Sequence, residues 1–345
     1  MNSCSSSSCH GGATENRDQC VVWSKRDFHS RAFATLTTAR SERMGEVLKI
    51  ESPVKDANCT VCHAPFQTVA NSQHAKKLDA TVGVSCETCH GPAENWLRNH
   101  TRPDFTHADR VNAGMRDLKN LYVRANTCVA CHQNVSSNLL AAGHPELIFE
   151  LDGQAVSEPK HWREKTNWNG AQAWLVGQAV ALREMSWQLA RETSPKENEI
   201  NRWKGLTWLM ARTGEAEPSL PRSPDTNFRP LQDNFAKAQK WSDELAQAAA
   251  KMSWPENLTR TILASLADSS NGINDPVGRA VQARRAERLV LGLDRLVLAS
   301  DKKLRSALDA DVNELYALVQ SLPDFDPAKF AQALEKFSNK LRDSR

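Results

Sequence analysis

Cysteine and histidine are the side chains in this sequence whose spacing predicts chemistry. Three segments, at 59–63, 86–90 and 128–132, place two cysteines three positions apart with a histidine directly after the second. This is the attachment signature of c-type haem, in which two thiols bond to the porphyrin and the adjacent imidazole becomes the proximal iron ligand. Two Cys-x-x-Cys pairs could instead form one zinc site, but zinc does not require a histidine there. We therefore expect three covalent haems in these segments.

One more site of the same kind stands at the start of the chain, and it is therefore the first of four in chain order. In CSSSSCH, four serines separate Cys4 from Cys9, and His10 follows at once. A serine-rich loop can adopt many conformations, so the wider spacing is compatible with haem. An unbound serine-rich terminus and a small Cys4–Cys9 disulfide are the alternatives.

The sequence thus predicts four c-type haems as its cofactors. The attaching cysteines are Cys4, Cys9, Cys59, Cys62, Cys86, Cys89, Cys128 and Cys131. The proximal iron ligands are His10, His63, His90 and His132. Cys20 is left over, and we assign it no role. No cysteine lies beyond Cys131 and no histidine beyond His161, so this chemistry is confined to the first half of the chain.

Six further histidines in this half are candidates for the distal, or sixth, ligand of each iron. Three have a suitable context. His144 stands before a proline, which restricts its backbone, and beside an apolar run. His29 lies at a helix start that Asp27 would cap. His100 follows Trp96 by four residues, so on a helix the two share a face.

The other three, His74, His107 and His161, stand in polar surroundings that favour solvated surface positions. Three distal candidates for four irons leave one iron unassigned. Three alternatives stay open for it: His74, a methionine such as Met44 or Met115, or no sixth ligand at all.

The second half of the chain is predicted to be helical. Over 171–192, apolar residues including Trp174, Leu182 and Leu189 recur at helical spacing. Further helices are predicted over 228–251, 256–268, 277–299, 302–321 and 327–342, with a proline-rich linker or loop at 218–225. Helix starts are predicted at Ser253, Asp275 and Asp301, and a stop at Pro323.

Eight of the ten tryptophans fall between Trp162 and Trp254. They could pack on haem faces, but aromatic side chains dominate core burial, so we interpret them as helix core. Apolar spacing from Val281 to Leu296 suggests a bundle with its own core. We expect this half to be a scaffold or a docking element.

These patterns predict an all-α fold in two parts. A tetrahaem cytochrome c domain would occupy residues 1–165, with short helices, little regular sheet, and haems replacing much of the apolar core. A helical domain without haem ligands would occupy residues 166–345.

Composition narrows the classes of partner. The formal net charge is +3, basic and acidic residues are balanced in both halves, and nothing indicates a nucleic-acid partner. No run approaches the roughly 18 apolar residues of a spanning helix, so we expect no transmembrane segment. The N-terminus has no apolar signal core, which suggests the sequence of a mature or an engineered protein.

The motifs of residues 1–165 resemble those of the multihaem cytochromes related to tetrahaem cytochrome c-554. The likeness rests on CHGG at the first site, VWSKRDFHSRAFATL, CTVCHAP, GVSCETCHGPAENWL, CVACH and AAGHPELIFELD. It implies an exported electron-transfer protein, periplasmic or otherwise outside the cytoplasm, with closely packed haems, mostly bis-histidine with one five-coordinate iron. It also supports His29, His100 and His144 as distal ligands.

The sequence departs from that group in two places. Ser136 and Ser137 stand where many relatives have an asparagine and a histidine before the AGHP segment. Larger members carry a further CxxCH among their C-terminal helices, which this chain lacks.

An electron carrier between redox protein partners is the leading hypothesis for function, since such a protein needs only to hold haems close and in fixed orientation. The alternative is a small-molecule oxidoreductase that acts on a nitrogen or sulfur compound at one open iron. A homo-oligomer that stacks haem to haem as a structural conductor is the third hypothesis.

Overall fold

The computed structural model describes residues 4–74, 79, 81–162, 168–224, 232–255, 257–273 and 276–344. The chain is 64% helical, and no strand occurs among these residues, which confirms the all-α prediction. None of the helices in the described ranges is both long and apolar enough to cross a bilayer.

The chain divides into two compact units. The N-terminal unit comprises Met1–Ile148 and Val156–Asn167, and the C-terminal unit comprises Phe149–Ala155 and Trp168–Arg345. A short segment before residue 156 thus belongs with the later helices. The predicted boundary at 165 lies outside the described residues.

The N-terminal unit is built from short helices joined by irregular chain. Its α-helices are α1 (Gln19–Arg26), α2 (Ala39–Leu48), α3 (Ala57–His63), α4 (Cys86–His90), α5 (His107–Asn112), α6 (Leu121–His132) and α7 (Ser137–Ala141). Its 3-10 helices are Phe28–Arg31, Phe33–Thr37, Pro65–Thr68 and Asn71–Gln73. The helix α8 (Leu151–Ser157) follows, mostly within the C-terminal unit.

Few apolar side chains are buried in the N-terminal unit. Those described as buried are Leu36, Ala64, Val84, Ala93, Trp96, Ala125 and Val129. Small domains with so little apolar core usually need a metal, a cofactor or disulfides to fold. None of its cysteines forms a disulfide in the described residues, so disulfides do not fill that role.

The C-terminal unit is a bundle of long helices. They are α9 (Gly170–Leu189), α10 (Glu197–Ala216), α11 (Gln232–Lys251), α12 (Leu258–Ala267), α13 (Ser270–Ile273), α14 (Arg279–Leu298), α15 (Lys302–Leu318) and α16 (Pro327–Asp343), with a 3-10 turn at Leu322–Asp324. Helix α9 packs along α11, and α14 packs along α10. Helix α14 also approaches α9 closely, because a Cβ at Gly292 would lie 2.9 Å from the Trp174 ring.

Most predicted helices of this unit are present. Asp301 caps α15 by accepting a hydrogen bond from the backbone N–H of Leu304 (2.9 Å), as predicted. The predicted start at Ser253 is wrong, because the chain first makes a turn in which Leu258 N–H donates to Pro255 O, and α12 begins at Leu258. The predicted start at Asp275 and residues 228–231 lie outside the described residues.

Helix α10 was not among the individually predicted helices. Trp203 and Trp208 on it are buried, as are Trp174 and Trp241 elsewhere in the bundle. These four confirm the interpretation of the tryptophans as helix core. Trp187 does not, since it is 41% exposed.

Candidate haem sites of the N-terminal unit

Three of the four cysteine–histidine motifs lie at the C-terminal end of a helix. Helices α3, α4 and α6 end at His63, His90 and His132. In each motif the two cysteines and the histidine occupy positions i, i+3 and i+4. On an α-helix these positions share one face, so both thiols and the imidazole point the same way. The helix therefore supplies the geometry that attachment to one porphyrin requires.

The first motif reaches a similar arrangement through a turn. Cys9 N–H donates to Ser6 O (2.9 Å), and His10 N–H donates to Cys4 O (3.1 Å), so the four serines fold into a compact loop. The extra residues are thus absorbed locally and His10 returns to Cys4. No disulfide joins Cys4 to Cys9, so that alternative is not supported.

Each motif histidine lies beside a histidine from outside the motifs. Three of these pairs are measured between ring centroids: 6.1 Å for His10 and His100, 5.9 Å for His29 and His132, and 6.5 Å for His90 and His161. In the fourth pair, burial is the main cause that lowers the pKa of His63, and the charge of the nearby His144 lowers it further. None of the four pairs joins two motif histidines.

These separations fit a metal held between the two rings of each pair. An imidazole binds a metal through one ring nitrogen at about 2 Å, which places its centroid about 3 Å from the metal. Two imidazoles on opposite sides of one ion are then about 6 Å apart, centroid to centroid. The three measured distances, 5.9 to 6.5 Å, match this arrangement.

A second feature supports ligation: the Nδ1 atom of many of these rings is already engaged. It hydrogen bonds with Gln19 Oε1 in His10 (2.9 Å), with Leu97 O in His100 (2.6 Å) and with Pro145 O in His144 (2.8 Å). Ligating histidines typically use one ring nitrogen for the metal and anchor the other in this way.

The same holds for His63 and His29. Nδ1 of His63 hydrogen bonds with Ala32 O (3.1 Å) and Thr35 Oγ1 (2.9 Å). Nδ1 of His29 contacts two carboxylates, Asp27 and Glu158. In both histidines Nε2 is the nitrogen left for a metal.

Burial keeps several motif imidazoles neutral, which is the form that binds metals. It lowers the pKa of His90 to about 4 and also lowers the pKa values of His63 and His132. At His29 the hydrogen bond with Asp27 and then that with Glu158 raise the pKa to about 10, so a metal at Nε2 would displace the proton of that nitrogen while Nδ1 keeps its own.

The structure brings together some of the predicted distal candidates and not others. His29, His100 and His144 each lie beside a motif histidine, whereas His74 has no ring contact with one among the described residues. Sequence context favours a surface position for His161, yet this half-buried residue is the one that lies beside His90. The next residue in the sequence, Trp162, is a signal that favours a partly buried His161. The two rings pack edge-on, with their centroids 5.1 Å apart.

The remaining predicted surface histidine has a surface role. Nε2 of His107 lies 2.9 Å from Asp117 Oδ1, and the His107 side chain is 40% exposed. His107 is therefore paired with a carboxylate, and we assign it no iron.

The structure also bears on the zinc alternative. Within the described ranges, the one group of three or more cysteine, histidine or acidic side chains with ligand atoms within 4.8 Å of one another is Asp27, His29 and Glu158. No four-thiol cluster occurs there. Glu158 is a residue that sequence inspection missed, because it meets His29 only through the tertiary fold.

The cysteines also show which motifs are neighbours. A hydrogen bond between the thiols of Cys4 and Cys86 lowers the pKa of Cys4 to about 6. A similar bond between Cys62 and Cys131 lowers the pKa of Cys62. Burial, and next the nearby Cys89, raise the pKa of Cys128 to about 12. The first motif therefore neighbours the third, the third the fourth, and the fourth the second.

Comparison with known proteins identifies this part of the chain. Residues 3–91, which contain the first three motifs, match the family described as cytochrome c554 and c-prime. This region is therefore related to c554-type multihaem cytochromes, and the match supports a c-type cytochrome with covalently bound haem that works in electron transfer. No curated protein and no solved structure matches the chain.

Proposed function

We propose that this c-type cytochrome carries four haems, that each iron is held between two histidines, and that the protein passes electrons between redox partner proteins outside the cytoplasm. The proposed ligand pairs are His10 with His100, His63 with His144, His90 with His161, and His132 with His29. The haem, when bound, supplies a one-electron iron couple whose potential depends on axial ligands, burial and nearby charge.

The pairing of every motif histidine with a different non-motif histidine carries this proposal. A substrate-binding iron needs a vacant sixth position, and in this assignment all four are filled. The pairing therefore favours the carrier over the small-molecule oxidoreductase. It also replaces His74 with His161 as the proposed fourth distal ligand.

The contacts between cysteines suggest an order of electron transfer. With the first motif beside the third, the third beside the fourth and the fourth beside the second, the haems would form a single line. The first and second sites would stand at its two ends. Partner proteins would then exchange electrons with the haem of His10 and with that of His63.

The protein's own residues contribute position and orientation. The helical motifs hold both thiols and the proximal imidazole on one face, and the hydrogen bonds to Nδ1 fix the ring angles of His29, His100 and His144. No acid–base group has to act on a substrate, because the transferred species is an electron.

The test is electron paramagnetic resonance of the oxidised holoprotein, before and after addition of cyanide, with the haem count measured by mass spectrometry. We expect four haems, all low-spin and all unresponsive to cyanide. The variant His161→Ala should convert one haem to a high-spin, cyanide-binding form. The matched variant His74→Ala should leave all four low-spin.

Two results would overturn the assignment. A high-spin, cyanide-binding haem in the unaltered protein would show an open iron and revive the oxidoreductase hypothesis. A high-spin haem in His74→Ala, with none in His161→Ala, would return the fourth distal position to His74.

The proposed location can be tested separately. The c554-type proteins are usually exported, and the described helices include none that could span a bilayer. We expect the haem-staining protein in the periplasmic or extracellular fraction of cells that express its complete gene. Haem-loaded protein confined to the cytoplasmic fraction would contradict this location.

A further inference from the structure

The histidines of the proposed sites differ in the group that holds Nδ1. At His10, His63, His100 and His144 the acceptor is neutral: an amide oxygen, a hydroxyl or a backbone carbonyl. At His29 the acceptors are carboxylates. This difference matters because the partner on Nδ1 sets how strongly the other ring nitrogen donates electrons to a metal.

Asp27 holds His29 in two ways at once. Its Oδ1 accepts a hydrogen bond from the backbone N–H of His29 (2.8 Å) and lies 3.0 Å from Nδ1 of the same residue. One oxygen thus caps the 3-10 helix Phe28–Arg31 and fixes the orientation of the imidazole relative to the backbone. Asp27 is only 3% exposed, so solvent screens this contact weakly.

Glu158 approaches the same ring nitrogen from a distant part of the chain. Its Oε1 lies 3.3 Å from Nδ1 of His29, and its side chain is 24% exposed. Asp27 and Glu158 therefore each place a carboxyl oxygen within hydrogen-bond distance of Nδ1.

The two carboxyl groups differ in their distance from the ring and in their burial. Asp27 Oδ1 lies 3.0 Å from Nδ1 of His29, whereas Glu158 Oε1 lies 3.3 Å from it. The side chain of Asp27 is 4% exposed and that of Glu158 is 24% exposed, so solvent screens the Asp27 contact less. Asp27 is therefore the stronger partner of the His29 ring.

We propose that Asp27, supported by Glu158, is a positioning residue that makes His29 an unusually strong donor and lowers the reduction potential of the haem held by His132 and His29. An acceptor that draws the Nδ1 proton increases electron density at Nε2, and the ferric iron, with its greater positive charge, gains more from this than the ferrous iron. This inference rests on the proposed function, in which His29 ligates that iron.

The experiment is a spectroelectrochemical titration of the holoprotein with Asp27→Asn, alongside its electron paramagnetic resonance spectrum. We expect one of the four reduction potentials to become more positive by about 59 mV, which for one electron is a tenfold change in the equilibrium constant. The other three steps should stay in place, and the low-spin signal of one haem should shift. Glu158→Gln should act in the same direction with a smaller effect.

Asp109→Asn is the matched control. It removes one carboxylate of the same unit, whose Oδ2 accepts a hydrogen bond from the backbone N–H of Thr106 (2.8 Å) and caps α5. Equal shifts in Asp27→Asn and Asp109→Asn would indicate a general charge effect and overturn the proposal. Unmoved steps in Asp27→Asn would overturn it as well. If Asp27→Asn fails to mature, Glu158→Gln decides in the same way.

A further variant separates this proposal from the function on which it rests. His29→Ala should leave four covalent haems and make one of them high-spin. If it does so while Asp27→Asn moves no potential, the ligand assignment stands and the role of Asp27 falls. If His29→Ala leaves every haem low-spin, His29 is not a ligand, and the proposed ligand set falls.

Discussion

The C-terminal unit buries apolar side chains along each of its long helices, including the fully buried Trp174, Leu293 and Phe330. The N-terminal unit buries few, and its largest buried apolar residue is Trp96. Its longest α-helix, α6, has 12 residues, whereas α9, α10, α11 and α14 each have 20. The histidines of this unit, and all of its cysteines except the exposed Cys9, are half-buried.

This difference indicates which interactions stabilise each unit. In the C-terminal unit the long helices are stabilised by burial of their apolar faces, at roughly 25 cal/mol for each Å² removed from water. Helices as short as α3 and α4 are marginal by themselves. We infer that the haems supply the missing core of the N-terminal unit, both as apolar surface and as covalent links.

Preventing haem attachment should have the largest effect, because it should unfold the N-terminal unit and leave the C-terminal unit folded. In protein produced without haem maturation, we expect the amides of α3, α4 and α6 to exchange with solvent as in an unfolded chain. The amides of α9 and α14 should stay protected, because their core consists of side chains alone. Hydrogen exchange followed by mass spectrometry measures both sets in one sample. Protection of α3, α4 and α6 without haem would show that the N-terminal unit has a sufficient core of its own.

A cavity in the apolar core of the C-terminal unit should have the next largest effect. Leu293 on α14 is fully buried, so Leu293→Ala should lower the free energy of unfolding by about 2–5 kcal/mol. Leu298, on the same helix, is 46% exposed, and Leu298→Ala should change it by no more than about 0.5 kcal/mol. Denaturant titration followed by circular dichroism compares the two. Equal losses would mean that burial in α14 does not determine stability.

The sequence alone assigns a full set of attachment residues but an incomplete set of distal ligands, for a physical reason. Two thiols and an imidazole that bind one porphyrin must lie within about one helical turn, so their spacing is local and visible. A distal ligand can come from anywhere in the fold. His161 reaches His90, and Glu158 reaches His29, through tertiary structure that no local pattern records.

A similar limit explains the helix that was not individually predicted. Apolar periodicity predicts α9 and α14, whose buried faces are mostly aliphatic and aromatic. Helix α10 buries polar residues as well, among them Glu199, Asn201 and Arg202, which interrupt the apolar pattern. The structure buries these groups within the bundle, and a pattern based on hydrophobicity does not anticipate that.

A buried carboxyl group gives the C-terminal unit a pH dependence of its own. Burial raises the pKa of Glu150 from 4.5 to about 7, although Arg288 and Arg295 oppose the shift. Because the folded-state pKa is the higher one, protonation favours the folded state. The stabilisation is therefore complete below about pH 4.5 and is lost as the pH rises through 7. It amounts to at most roughly 3 kcal/mol.

The variant Glu150→Gln cannot ionise and should remove this dependence. We expect the free energy of unfolding of the C-terminal unit to fall between pH 5 and pH 8 in the unaltered protein and to change less in Glu150→Gln. Glu335→Gln, at an exposed position on α16, is the control and should behave like the unaltered protein. An equal fall with pH in all three proteins would rule out Glu150 as the source.

Removing an aspartate helix cap from each unit should have the smallest effect, and it compares the two units most directly. Asp301 caps α15 through Leu304 N–H (2.9 Å), and Asp56 caps α3 through Asn58 N–H (2.9 Å). Asp301→Ala should cost about 1 kcal/mol of unfolding free energy, the usual cost of a lost cap. Asp56→Ala should cost the holoprotein less, because two thioether bonds to one haem would still hold α3 in its helical turn.

Amide exchange rates in α15 and α3, measured on the two variants under identical conditions, give both costs directly. Asp309→Ala, within α15 but away from its cap, controls for the general effect of removing an acidic side chain from that helix. If Asp56→Ala raised exchange in α3 as much as Asp301→Ala does in α15, haem attachment would add no local stability to α3. In that case the two units would stabilise their helices in the same way. Haem attachment would then not compensate for the small apolar core of the N-terminal unit.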